Sequence, residues 1–283
     1  MQDKIWQTID LIEWGHNFFT SKKIPNSKLE IEWFLCDILK CERIDLYLKF
    51  EQPIMNNELM LFKQYITRRI KGEPFQHIIG KADFYGNDYI VDKNVLIPRP
   101  ETQIIIDILK QKKMPNKILE IGTGSGCIAI TICLENLCDS IIATDLSKKA
   151  LQVAKQNAAL HSVSNIEFKI HDFLKTSIHS NFDCIVSNPP YINPNEINQL
   201  QKEVINYDPL ISLTDNNDGL SFYRKFAEVG VTILNQNGFM LLEFGGLKQV
   251  DHILNIFQSH PYKLQFHNDL QGDPRVVEVS LLT

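Results

Sequence analysis

The chain changes its hydrophobic period once. Up to about residue 75, apolar residues return at helical spacing: Ile5, Ile9 and Ile12 with Trp6 and Trp14 beside them, then an apolar helix over 29–39. Ser27 followed by Glu30 has the form of a capping box for that helix, and Asn57 can cap another that ends near Gly72. Residues 43–50 alternate as a strand would, but their neighbours make a short helix the expectation. From 82 to 97 the period drops to two. Phe84-Tyr85 and Tyr89-Ile90-Val91 flank the turn pair Gly86-Asn87, which predicts a β-hairpin. The prolines of Ile97-Pro98-Arg99-Pro100 hold an extended entry to a helix over 101–111.

Beyond that point strands and helices alternate. Strands are expected at 117–121, 140–144, 166–171, 182–187, 239–243, 262–267 and 275–282, and helices at 126–135, 147–160, 218–234 and 247–258. Such alternation predicts right-handed crossovers and a parallel sheet with helices on both faces. Only a loop separates the last two strands, so they should pair antiparallel. The expected architecture is α/β, a seven-stranded, mostly parallel, doubly wound sheet preceded by a small helical bundle. The expected divisions are 1–80 for the bundle, 81–97 for a hairpin linker and 98–283 for the sheet domain.

Composition narrows the function. Of 283 residues 44% are apolar and 22% charged, which suits a soluble globular protein and excludes a disordered or collagen-like chain. No apolar run approaches a membrane span, and the first 20 residues lack the basic start of a secretory signal. Six cysteines form no CxxC pair, so reduced thiols in a cytoplasmic location are expected and no metal site is. The first 85 residues hold 12 basic and 12 acidic side chains, the remainder 17 and 22. Neither part has the bulk positive charge of a nucleic-acid binder. The run Arg68-Arg69-Ile70-Lys71 reads as a solvated helix face.

The chemistry gathers at predicted strand ends. The strand ending Leu119-Glu120-Ile121 runs into Gly122-Thr123-Gly124-Ser125-Gly126 and then a helix. Glycines there allow a tight turn and close backbone approach to a ligand. The spacing is neither GxGxxG nor a phosphate-binding Walker loop, and a glycine turn alone could be purely structural. The next strand ends at Asp145, where a carboxylate can accept from both hydroxyls of a ribose, although a helix cap would also suit it. The third ends at Asp172-Phe173, an acid and an aromatic that can hold and cover an adenine. Together the three ends have the layout of an adenosine site.

The fourth strand is followed by Asn188-Pro189-Pro190-Tyr191. Two prolines make a stiff turn that donates no backbone hydrogen bonds but keeps its carbonyls as acceptors. The Asn188 side-chain oxygen and the Pro189 carbonyl can accept both hydrogens of a planar –NH₂ group, and Tyr191 can pack on its face. A planar amide nitrogen is a poor nucleophile, so orientation and proximity must supply much of the rate.

On these residues the chain resembles class I S-adenosylmethionine-dependent methyltransferases, which have a Rossmann-like fold. More narrowly, it is similar to the peptide chain release factor glutamine N5-methyltransferases. The narrower likeness rests on Glu73-Pro74-Phe75-Gln76-His77-Ile78-Ile79-Gly80, Phe84-Tyr85, residues 97–102, 120–126 and 186–192, Tyr207-Asp208-Pro209, Leu242-Glu243-Phe244-Gly245 and residues 269–277. The first 70 residues match in type only. Phe244, where Ile or similar is expected, and Asp273-Pro274 depart from the pattern.

The resemblance implies methyl transfer from S-adenosylmethionine to the glutamine of a Gly-Gly-Gln motif in release factors, modulating translation termination. It implies that Gly122, Thr123, Gly124, Ser125 and Gly126 bed the methionine part of the cofactor, that Asp145 takes the ribose, and that Asp172 with Phe173 borders the adenine. Asn188, which also borders the cofactor, and Pro189 would orient the substrate amide; Pro190 lines its pocket and Tyr191 packs on it. The helical bundle would grip the release factor, and a monomer is expected. Asn-Pro-Pro-Tyr is shared with amino-adenine methyltransferases, but the charge balance argues against DNA or RNA as substrate. A ribosomal protein substrate is a lesser variant of the protein reading. A non-catalytic adenosyl-binding module would not need this tetrapeptide.

Overall fold

The structure, a computed structural model, describes residues 5–282. The chain divides into two compact units that part between Gly80 and Lys81. In the first, α1 (Thr8–Ser21), α2 (Ser27–Leu39), α3 (Arg43–Leu48), α4 (Asn56–Ile70) and α5 (Phe75–Ile79) bury Leu11, Phe19, Ile31, Phe34 and Phe62 in one core. The alternating stretch after Glu42 is helical, as its neighbours suggested.

Three local expectations fail in this unit, each to a stronger partner. Ser27 and Glu30 form no capping box. The N-cap is Asn26, Ser27 Oγ meets His16 Nδ1 at 2.8 Å, and the Glu30 carboxylate is taken by Arg69. Asn57 does not cap α4: the N-cap is Met55, two residues earlier, and the Glu58 carboxylate accepts from the Met55 N–H at 2.7 Å. The basic run is not a solvated face. Arg69 is only 4% exposed and grips both oxygens of Glu30 at 2.6 and 3.0 Å, while Arg68 grips Glu73 at 2.8 and 2.6 Å.

The second unit opens with the hairpin β1 (Lys81–Phe84) and β2 (Asn87–Ile90). Its turn residues are Tyr85 and Gly86, both at positive φ, so the turn lies one position earlier than Gly86-Asn87 and Asn87 already belongs to β2. The hairpin is not a separate linker. Phe84 and Tyr89 enter the core of the sheet domain, and Asn157 of the sheet domain clamps Ile90 through both its N–H and its carbonyl. A 3₁₀ turn (Pro100–Gln103) leads into α6 (Ile104–Lys110).

There follow β3 (Lys117–Ile121), α7 (Cys127–Leu134), β4 (Ser140–Asp145), α8 (Lys148–Leu160), β5 (Ile166–Ile170) and β6 (Phe182–Ser187). Two short helices, α9 (Lys202–Tyr207) and α10 (Leu210–Leu213), precede α11 (Ser221–Ile233), β7 (Leu234–Glu243), α12 (Leu247–Phe257), β8 (Tyr262–Asn268) and β9 (Pro274–Leu281). The sheet order is β5-β4-β3-β6-β7-β9-β8. All pairs are parallel except those made by β9, which is antiparallel to β7 and β8.

Strand alternation sorts the core into two faces. Ile118, Ile141, Cys184 and Val186 pack under α6, α7 and α8, whereas Leu119, Ile185, Met240 and Leu242 pack under α11 and α12. No disulfide joins the six cysteines. Among the described residues no helix is long and apolar enough to cross a membrane, and no cluster of side chains could hold a metal ion.

Candidate active site

Strand order reverses between β3 and β6: the chain steps from β3 out to β4 and β5, then returns to β6 on the other side. The carboxyl ends of two such strands splay their loops apart and leave a crevice. Ile121 and Ser187 are register partners, with Ser187 Oγ donating to the Ile121 carbonyl at 2.8 Å, so the glycine loop and Asn188-Pro189-Pro190-Tyr191 leave the sheet side by side. A cleft of about 350 Å³ opens above them. It is lined by every residue from Gly122 to Ser125, by Asp145, Asp172 and Phe173, and by Asn188, Pro189 and Pro190. Of the residues assigned from the sequence, Gly126 and Tyr191 do not line it.

The glycine loop is held from below and from the side. Gly122 and Thr123 N–H groups donate to the Thr144 carbonyl at 2.9 Å, and Gly126, at positive φ, starts α7. Thr123 turns its hydroxyl down to the buried Glu120 carboxylate at 2.6 Å. The other Glu120 oxygen is buried with no hydrogen-bond partner, and burial pushes its pKa up to about 7. Asp145 accepts from Gly124 N–H at 2.9 Å and from Ser147 N–H at 2.8 Å. It therefore shapes the loop itself, and the cap of α8 is Ser147. Burial raises the pKa of Asp145 against these backbone donors. Phe173 is wedged between Phe226, at 4.5 Å between centroids, and Phe222 at 6.1 Å. Phe222 also reaches the cleft and had no role in the sequence reading.

Asn188 is oriented from a distant segment. Its Nδ2 donates to Thr102 Oγ1 at 3.1 Å, which spends the amide's donor end on the protein and leaves Oδ1 for the cleft. Thr102 lies in the 3₁₀ turn after Arg99, and Arg99 pairs with the buried Asp208 carboxylate at 2.6 Å. The Ile97–Thr102 and Tyr207–Pro209 segments, far apart in sequence, are thus tied together on the rim. Tyr191 stands behind the lip: its hydroxyl faces Glu243 Oε1 at 3.4 Å and its carbonyl accepts from Gln249 Nε2 at 2.9 Å. Glu243 is fully buried, and burial raises its pKa to about 7.

The far wall is a loop folded around one carboxylate. Asp215 accepts from the N–H groups of Asn217, Gly219 and Ser221, each at 2.9 Å; burial works to raise its pKa, but the Ser221 side chain and these backbone bonds hold it below the ordinary value. Gly219 has φ +79° and sits so close to the Tyr191 carbonyl that a Cβ there would lie 2.2 Å from the oxygen. Glu120, Glu243, Thr102 and Asp215, like Phe222, are residues that the sequence left without roles. Thr102, Glu120 and Glu243 lay inside motif strings already quoted, and only their burial against loop residues marks them.

Comparison with known proteins shows the family and the fold. Residues 10–80 match the family model described as PrmC N-terminal domain, and residues 100–208 match the methyltransferase small domain. The release factor glutamine methyltransferase of Chlorobaculum tepidum is 35% identical over 284 residues, covering 95% of this chain and 96% of that protein. A bifunctional methyltransferase of Rickettsia bellii is 38% identical over 290 residues, covering 92% of this chain. The chain spans about half of that relative's length, at 52%. In fold, a methyltransferase of Pyrococcus furiosus superposes with TM-score 0.53 at 18% identity, covering 81% of this chain and 99% of that one.

Proposed function

Because this chain belongs to the release factor glutamine methyltransferases, we propose that it moves a methyl group from S-adenosylmethionine to the side-chain amide nitrogen of the Gly-Gly-Gln glutamine of a peptide chain release factor. The observation that carries this reading is the Asn188 carboxamide, turned by Thr102 so that its oxygen is left for a donor in the cleft. A planar –NH₂ group is the donor that such an acceptor suits.

The residues fit the methyl donor. The cleft volume lies within the range of about 300–1,000 Å³ usual for small-molecule sites. Asp145 uses one lone pair of each oxygen on the backbone, which leaves the others for ribose hydroxyls. Glu120 keeps a buried, unpartnered oxygen beneath the loop that would bed the methionine part. Phe173 and Asp172 border the place for the base.

When bound, S-adenosylmethionine supplies a methyl group made electrophilic by its sulfonium. Asn188 Oδ1 and the Pro189 carbonyl accept the two amide hydrogens and aim the nitrogen. Transfer of that methyl to the nitrogen would leave the electron pair of the broken carbon–sulfur bond on sulfur, and the methylated nitrogen would give one proton to solvent. No enzyme nucleophile is required, which agrees with thiols that burial pushes up, Cys127 to about 12. Tyr191 braces the lip from behind in this scheme instead of covering the amide. Pro190 walls the substrate pocket.

The helical unit, residues 1–80, takes the protein substrate; it exposes Trp14, Trp33, Tyr47 and Phe50. The test is mass spectrometry of purified release factor after incubation with the protein and S-adenosylmethionine. One added methyl on the Gly-Gly-Gln glutamine supports the reading, and methylation elsewhere or none overturns it.

A further inference from the structure

Asn188 has two chemically opposite ends, and only one of them can accept from a substrate –NH₂ group. Which end faces the cleft is decided by the atom behind it, Thr102 Oγ1, 3.1 Å from Nδ2. A hydroxyl has one proton. If that proton is committed elsewhere, the oxygen can only accept, and Asn188 must turn its –NH₂ end toward it. The partner that commits it is Glu243. Thr102 is 2% exposed and Glu243 1%, so water does not compete for either. Glu243 Oε1 faces Tyr191, and Oε2 is buried without a partner of regular hydrogen-bond geometry. Burial raises the pKa of Glu243, and the neighbouring Thr102 hydroxyl opposes that rise. An ionised carboxylate is an acceptor only, so the hydroxyl proton points to it.

We propose that Thr102, set by Glu243, is the positioning residue that decides which end of the Asn188 carboxamide meets the substrate. The inference rests on the assignment of Asn188 as acceptor for the substrate amide and adds the relay Asn188–Thr102–Glu243 behind it. Protonation of Glu243 reverses the logic. A carboxylic acid can donate to Thr102 Oγ1, the hydroxyl proton is then free to turn to Asn188 Oδ1, and the flipped carboxamide presents –NH₂ to the substrate –NH₂.

The groups facing Glu243 come from every element packed on it. Arg275 of β9 and the hydroxyls of Thr102 and Tyr191 favour the ionised form; burial and Glu101 favour the neutral one. Cys127 of α7 stays a thiol, and Tyr223 of α11 donates to the Glu243 backbone carbonyl at 2.6 Å. With the Glu243 pKa at about 7, the ionised fraction falls about tenfold between pH 8 and pH 6.

The test uses the full chain and two readouts. In the first, the side-chain amide NMR signals of Asn188, identified by their loss in Asn188→Ala, are followed from pH 6 to pH 8 without substrate. They should shift with a midpoint near 7, and should stop titrating in Glu243→Gln and in Thr102→Val. In the second, single-turnover methyl transfer at saturating cofactor should slow about tenfold over the same interval in the wild type. Thr102→Val should be at least about tenfold slower at pH 8 with unchanged cofactor affinity, and Thr102→Ser should recover to within about threefold.

Wild-type rate in Thr102→Val, a Thr102→Ser as slow as Thr102→Val, or an unaltered acid limb in Glu243→Gln would each overturn the relay. If Thr102→Val fails to fold, Thr102→Ser and Glu243→Gln decide the matter alone. An Asn188 signal that titrates as described in a protein that never methylates release factor would support the relay and overturn the release-factor reading.

Discussion

Gly219→Ala places one methyl group where the Asn188–Tyr191 lip and the Asp215 loop touch. The added Cβ would stand 2.2 Å from the Tyr191 carbonyl oxygen and 2.9 Å from its carbon, whereas ordinary contact begins near 3.4 Å. Either the lip or the loop must retreat by roughly 1 Å, and backbone on both sides leaves no flexible side chain to absorb the shift. The left-handed backbone at this position, φ +79°, costs an alanine about 1–2 kcal/mol, and the overlap adds about 1–3 kcal/mol as overpacking does elsewhere. A fall in stability on the order of 2–5 kcal/mol follows, to be read from urea unfolding.

The functional effect should be larger than that figure suggests. A reacting group misplaced by about 1 Å can lose about 10²-fold in rate, and the lip carries Asn188 and Pro189. Gly122 to Ser125 and Asp145 lie across the cleft, so calorimetry should find cofactor affinity changed far less than the single-turnover rate. A folded Gly219→Ala protein that transfers methyl at the wild-type rate would refute the claim that the lip's position sets the reaction.

Other expectations follow from the same contacts. Asp145→Ala removes the acceptor of Gly124 and Ser147 N–H groups as well as the proposed ribose partner, each such charge-assisted bond being worth about 1.5–3 kcal/mol. Titration calorimetry should show S-adenosylmethionine binding weakened at least about tenfold, and unchanged affinity would sink the ribose assignment. Arg69→Met leaves the Glu30 carboxylate without its main partner in the helical unit. Breaking such a pair costs about 3–5 kcal/mol, and urea unfolding of that unit should move accordingly. A chain beginning at Lys81 keeps the hairpin in its core and should bind S-adenosylmethionine while methylating intact release factor far more slowly than the full chain. The full rate in that truncation would remove the recognition role from residues 1–80.

Much of the sheet could be read in advance because its signals are local. The strands over 117–121 and 182–187 are short, mostly apolar segments ending at a glycine turn and at Asn188-Pro189, and the structure has them at those bounds. The antiparallel end, β8 with β9, followed from the missing helix between them. Failures came where a distant residue outbid a neighbour. Glu30 abandoned Ser27 for Arg69, 39 positions on, and the basic run became a buried clamp. Tyr85 takes a left-handed turn position while its hydroxyl bonds Asp107 at 2.7 Å, 22 positions away. The site followed the same rule. The residues at strand ends were legible from spacing, but Thr102 behind Asn188 spans 86 positions and Glu243 behind Tyr191 spans 52. No periodicity encodes such pairs.

The central claim is that Asn188 orients the substrate amide, and it is tested most directly by single-turnover methyl transfer to release factor at saturating cofactor in Asn188→Ala. Loss of one well-placed acceptor should lower kcat on the order of 10²-fold or more, with S-adenosylmethionine binding retained in a parallel assay. Asn188→Asp still accepts, but its charge would favour the sulfonium over the neutral product, so it should also be slow with binding equal or tighter. Wild-type transfer by Asn188→Ala would contradict the account.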